Sequence, residues 1–203
     1  MTSLRADLAL ISDWITPGSR ILDLGCGDGA LLAHLAQLRK VRGYGLEIDP
    51  HNVAACVDAG VNVIQADVDE GLADFPSGFF DFVVMTQALQ ALARPDRVVA
   101  EMLRVGREAI VTFPNFGNWR VRIALARGRM PLTSTLPVQW YETPNIHLCT
   151  VADFEDLCRS NGWEVLERSL LDRRHRSGPA IRWMPNLFSE VALYKLRAPC
   201  ASS

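Results

Sequence analysis

The stretch ILDLGCGDGALL, residues 21–32, constrains the fold of this chain more than any other segment. A short apolar run ends in a turn with three glycines in five positions, Gly25, Gly27 and Gly29, and apolar residues then resume at helical spacing. Strand, glycine turn and helix in that order open a βαβ unit. The glycines permit left-handed backbone and remove the Cβ atoms that would keep a ligand away from the amides at a helix start. Three glycines so close together cost backbone entropy that a plain connection does not require, which marks the turn as a binding feature.

The rest of the chain repeats the alternation. A helix over 3–15, stopped by Pro17-Gly18, precedes strand 20–24, helix 29–38 and strand 43–48. A helix over 49–60 follows, with Asp49 as N-cap, Pro50 at its first position and Gly60 as its stop. Strands at 61–66 and 79–86, a helix over 95–105 and a strand at 108–113 complete a right-handed, mostly parallel arrangement. Beyond Pro114 a short helix in NWRVRIALARG leads into a proline-punctuated stretch to residue 149. That stretch is too long for a simple connection and reads as a lid or partner-binding insertion over 115–149. Thr150 and Asp153 form a capping box for a helix that Asn161-Gly162 closes. Strands at 163–171 and 186–196, joined only by a loop that includes the solvated stretch DRRHR, make a C-terminal antiparallel hairpin. The expectation is one α/β domain over 1–203: a seven-stranded, mostly parallel sheet with helices on both faces.

Composition narrows the partners. At 203 residues the chain suits one core, and its net charge of -2 gives no reason to expect nucleic acid. Its five cysteines, Cys26, Cys56, Cys149, Cys158 and Cys200, show no C-x-x-C pair. Neither a metal site nor a disulfide framework is indicated, and a reducing cytoplasm with five free thiols is the expectation. Arg5, Asp7 and Asp13 interrupt the apolar N-terminus and no run reaches membrane-spanning length, so no membrane partner is expected.

Gly25, Gly27 and Ala30 match the dinucleotide pattern G-x-G-x-x-G/A, with Glu47 at the distance of a ribose acid. Three features favour S-adenosylmethionine instead. Asp23, two residues before Gly25, would repel a pyrophosphate but suits a sulfonium amino acid. Asp67 adds an acid at a third successive strand end. The antiparallel hairpin is foreign to an ordinary dinucleotide fold.

The series LDLGCGDG, GLEID, QADV and FDFVVMTQAL resembles the motifs of class I S-adenosylmethionine-dependent methyltransferases over residues 20–113, which implies their Rossmann-like fold. By that resemblance Gly25, Cys26 and Gly27 line the methionine part of S-adenosylmethionine or S-adenosylhomocysteine. Glu47, followed by Ile48, takes the ribose hydroxyls, Asp67 and Val68 frame the adenine, and Thr86 and Gln87 face the cofactor. MTQALQAL, TFPNFGNWRVR and GRMPLTSTLPVQWYETPNIHLCTVADFEDLC resemble the bacterial methionine-biosynthesis MetW family. That resemblance implies a partner, the homoserine O-acyltransferase MetX, which such proteins support or regulate. The alternative is an active methyltransferase on a small carboxylate or anionic metabolite.

Outside the cofactor motifs, Asp81 reads as a turn anchor, and Asp69 and Glu70 lie near enough to Asp67 to substitute for it. Arg120, Arg122, Arg127 and Arg129 lie in residues 115–141, which hold no acid, suited to an anion or an acidic partner, or equally to a solvated helix face. Trp119, Trp140 and Tyr141 with Arg120 and Arg122 have the composition of an interface core or of a lid's own core. His147 and Tyr141 are the weak catalytic candidates, with His147 read either as a general base or as a loop brace.

Overall fold

The structure is a computed structural model and describes residues 6–133, 139–143, 147–172 and 176–199. Parts of the 115–149 segment and of the DRRHR stretch, the first residues of the expected N-terminal helix, and Cys200 lie outside the described residues. The elements are α1 (Ala6–Trp14), β1 (Arg20–Leu24), α2 (Ala30–Arg39), β2 (Arg42–Glu47), α3 (Pro50–Asp58), β3 (Val63–Gln65), β4 (Phe80–Thr86), α4 (Pro95–Val105), β5 (Gly106–Pro114), α5 (Trp119–Ala126), α6 (Val151–Ser160), β6 (Glu164–Leu171), α7 (Pro179–Trp183), α8 (Pro185–Phe188) and β7 (Val191–Arg197).

The seven strands form one sheet in the order β3-β2-β1-β4-β5-β7-β6. β1 to β5 are mutually parallel, and β7, antiparallel to both β5 and β6, slots between them. Strand order therefore reverses at β1, with β2 on one side and β4 on the other, and ligands of open α/β sheets bind at the carboxyl edge of such a switch point.

Alternation along each strand sends side chains to two cores. Leu22, Leu24, Val83, Met85, Val111 and Phe113 pack with α4 and α6, through Val98, Val99, Met102 and Phe154. Ile21, Phe82, Val84 and Ile110 pack on the other face with α1 and α2, through Leu8, Ile11, Leu31 and Leu35. Each such side chain contributes about 1.5–3 kcal/mol on burial. Phe154 of α6 sits 4.7 Å from the Phe113 ring and 4.9 Å from that of Tyr194, locking β5 to β7. Asp81 anchors the base of β4, accepting from the Arg20 N–H at 2.8 Å and pairing with Arg107. No helix among the described residues is long and apolar enough to cross a membrane, and Cys26, Cys56, Cys149 and Cys158 are free thiols.

One connection departs from the sequence reading. Residues 179–188 are not loop and strand start but α7 and α8, so β7 begins at Val191 rather than 186. Pro179 and Pro185 each occupy a first helical turn, where proline's fixed φ fits and its missing N–H costs nothing.

The second half of the sheet edge is tied by Asn115, directly after β5. Its Oδ1 accepts from Gly117 N and Val151 N, while its Nδ2 donates to the carbonyls of Asn186 and Ser189 and to Ser189 Oγ. Asn115 is buried, so removing its amide strands several groups away from water. Asn115→Ala is expected to lower stability by about 2–3 kcal/mol, read as a shifted urea midpoint at unchanged slope. A loss below ~0.5 kcal/mol would show that the network is not holding this edge.

Candidate functional site

The glycine turn adopts the conformation its composition demands: Gly25, Gly27 and Gly29 have φ of 66°, 56° and 76°, a region that costs other residues about 1–2 kcal/mol. The amides of Gly25 and Cys26 both donate to the Leu46 carbonyl, at 2.8 and 3.1 Å. The Gly27 amide donates to Glu47 Oε2 at 2.8 Å, and Glu47 Oε1 accepts from Ile48 N and Asp49 N at 2.9 Å each. Glu47 thus braces the turn against β2 while keeping an acceptor position on Oε2. A Cβ at Gly27 would meet nothing within 4 Å, so the space above the turn is open.

Two glycines inside β2 were not singled out from the sequence. A Cβ at Gly45 would collide with Cys26, and one at Gly43 with the Ile21 carbonyl. The pattern GYG within a strand was the available signal, since glycine there marks close approach of another chain segment. The Cys26 side chain packs down against Gly45 and lies 3.7 Å from Cys56, whose thiol donates to the Gly27 carbonyl. Burial raises the Cys26 thiol well above the ordinary range. What Cys26 can offer a ligand is therefore backbone.

Asp23 is 1% exposed in β1, and its Oδ1 has no hydrogen-bond partner. Burial, and secondarily the charge of Glu47, push its carboxyl up to about 8. Burial thus favours its neutral form.

Asp67 caps the 3-10 turn Val68–Glu70 by accepting from Asp69 N, with Val68 buried and Ile48 exposed. Asp69, beside it, accepts from the amides of Ala93 and Arg94. Thr86 ends β4, and Gln87 takes φ of 54°, held by donation from its amide to Thr112 Oγ1 at 3.0 Å. A non-glycine residue there is strained, and such strain concentrates at functional sites. Gln90, a further residue missed in the sequence, is buried with an unpartnered Oε1 at the same edge. All the cofactor candidates lie at the carboxyl ends of β1 to β4, four neighbouring strands.

The remaining candidates do not join them in one constellation. The His147 amide donates to the Gln90 carbonyl and its Nε2 lies 3.2 Å from the Ala93 carbonyl, contacts that suit a loop brace. Tyr141 and Trp140 stack edge to face at the surface, 66% and 68% exposed. Arg122 caps the Gly117 carbonyl at 2.7 Å, whereas Arg120 lies over the Trp119 ring and pairs with Glu190. The arginine segment therefore has a compensating acid, supplied by a residue seventy positions away.

Fold and site together define the class I S-adenosylmethionine-dependent methyltransferase architecture. A Mesorhizobium loti S-adenosylmethionine-dependent methyltransferase superposes with a TM-score of 0.68 at 19% identity, covering 96% of this chain and 98% of that one. The Haemonchus contortus phosphoethanolamine N-methyltransferase 2, in complex with S-adenosyl-L-methionine, gives 0.69 at 15% identity over 95% of this chain and 52% of that one. The family model of the methionine biosynthesis protein MetW matches residues 5–196, and the chain belongs to that family. The bifunctional methionine biosynthesis protein MetXA/MetW of Rhodopirellula baltica is 36% identical over 165 residues, 76% of this chain but only 26% of that protein's length.

Asp23 sets a pH dependence. Its folded value lies above the ordinary 3.8, so the native chain binds this proton more tightly than the unfolded one. This group's contribution is fully present below about pH 4 and is lost as pH rises through about 8. Asp23→Asn should flatten the fall in stability between pH 5 and 8, measured by urea midpoints, and an unchanged fall would place the effect elsewhere.

Proposed function

We propose that this chain binds S-adenosylmethionine at the carboxyl ends of β1 to β4 and acts in methionine biosynthesis by docking on the homoserine O-acyltransferase MetX and supporting it. The observation that carries the partner reading is the Rhodopirellula baltica relative, in which the two modules share one polypeptide. Covalent linkage raises effective concentration without any new contact, which suits two modules that act together.

The residues present fit the cofactor. Open space over Gly27 and its left-handed backbone admit a ligand against the turn. The orphaned Asp23 oxygen suits a cationic amino-acid end, and the acceptor position left on Glu47 Oε2 suits one ribose hydroxyl. Bound there, the cofactor supplies a sulfonium-activated methyl group. The chain's own part is to orient it against the Cβ-free turn and Glu47 and to offer Asp23 as the counter-charge.

Residues 115–149 are the proposed docking segment. α5 is apolar around much of its girth, yet only Val121 is buried while Trp119, Ile123 and Leu125 face solvent, joined by Met130, Trp140 and Tyr141. Exposed apolar surface of that kind marks interaction sites. The alternative, turnover on a small anionic acceptor, has less support, because His147 is engaged with Ala93 and Tyr141 stands at the surface. We place the chain in the cytoplasm, where its free thiols stay reduced.

The test is paired affinity measurement. Gly27→Val should abolish S-adenosylhomocysteine binding in calorimetry, with the melting temperature read alongside because any side chain is strained at this left-handed φ. Ile123→Asp should weaken association with the homoserine O-acyltransferase by about 2 kcal/mol or more, the range of central interface residues, while cofactor affinity holds. No association of the wild-type chain with the acyltransferase would sink the partner reading, and no S-adenosylhomocysteine binding would sink the cofactor reading.

A further inference from the structure

At the opposite edge of the sheet from the glycine turn, a hollow of about 600 Å³ opens around the amino ends of β1, β2 and β4. Its walls are cut back by small residues: Ala33 and Ala36 on α2, Gly43 in β2, and Ala59 and Gly60 after α3. Every segment that lines it lies within the described residues.

The charge at its mouth is one-sided. Arg20 and Arg42 are register partners on adjacent strands, so two like charges share one face of the sheet, an arrangement that costs stability by itself. Arg20 lies over the Phe79 ring at 4.9 Å and stands 4.0 Å from Asp81. Arg42 is exposed, and among the described residues its side chain has no partner. No acid lines the hollow. The charged residues next to the lining in sequence are Lys40, Asp58 and Asp81, and Arg107 lies 3.6 Å from Asp81, so these four cancel in number. α2 and α3 both end here, and each helix C-terminus adds roughly half a negative charge. The two arginines are left with about one positive charge to satisfy, which suits a single anionic group and disfavours a polyanion.

Tyr44 and Phe79 flank the arginines and are 44% and 40% exposed. Aromatic rings beside guanidinium groups suit a flat apolar body that ends in a carboxylate. We propose that this hollow binds a small amphipathic carboxylate, its head on Arg20 and Arg42 and its body against Tyr44, Phe79 and the small residues of α2. The proposal needs neither the cofactor nor the partner reading, because the hollow lies at the other end of the strands.

Naphthoate is the probe, titrated into the isotope-labelled full chain with backbone amide shifts as the readout. The amides of Arg42, Gly43 and Asn62 should move saturably. Naphthamide and naphthylmethylammonium, which keep the body but carry a neutral or a positive head, should bind at least tenfold more weakly. Arg42→Ala and Ala36→Phe, both at exposed positions, should each weaken naphthoate binding tenfold or more at an unchanged melting temperature. If Ala36→Phe destabilises the chain, the Arg42 variant and the head-group series bear the test. Shifts concentrated at Gly25 and Gly27 would put the probe in the cofactor turn and overturn the proposal. So would naphthamide binding as tightly as naphthoate, adenosine monophosphate binding more tightly, unchanged affinity in Arg42→Ala, or no saturable shift at millimolar naphthoate.

Discussion

The site depends on the carboxylate of Glu47, which gathers three backbone amides from two strand ends. A buried carboxylate is tolerated only when its lone pairs are satisfied, and here the partner across the gap is the middle glycine of the turn. That bond fixes how the β1–α2 turn sits on β2, and Gly45 permits the approach because a Cβ there would strike Cys26. The same charge adds to burial in raising Asp23. Two neighbouring carboxyls thus differ, one bracing backbone and the other raised by burial, a division that environment alone can impose.

The opposite half of the edge is organised by neutral amides. Asn115 and Asn118 both reach Ser189, drawing the segment after β5 onto the segment before β7. This anchors the start of α5 and brings Arg120 to Glu190, while the rest of the helix keeps its apolar side chains in solvent. A firmly held base with an exposed apolar surface is a pre-organised arrangement, which is why α5 is the segment proposed for docking.

Where local chemistry decided the structure, the sequence was readable. Asp49, Pro50 and Gly60 delimit α3, the Thr150–Asp153 capping box starts α6, and residues 95–105 are helical as their periodicity predicts. The turn glycines and the acids at successive strand ends likewise pointed to the edge where the structure gathers them, the carboxyl ends of β1 to β4. What was hidden depends on tertiary contact. Leu187 and Phe188 looked like a strand start because a short apolar run has no period of its own, yet they close α8. The Arg120–Glu190 pair joins residues far apart in the chain, and the left-handed backbone of Gln87 is imposed by Thr112 on the neighbouring strand. No pattern within the local sequence encodes either.

The central claim is that a methyltransferase-fold chain serves an acyltransferase through a surface separate from its cofactor turn. The most direct measurement is the steady-state acylation rate of homoserine by the purified acyltransferase, alone and with this chain added, across a range of S-adenosylmethionine concentrations. The account predicts that adding the chain raises the rate, saturably and in step with complex formation. An acylation rate that is the same with and without the chain, under conditions where S-adenosylmethionine is bound, would contradict it.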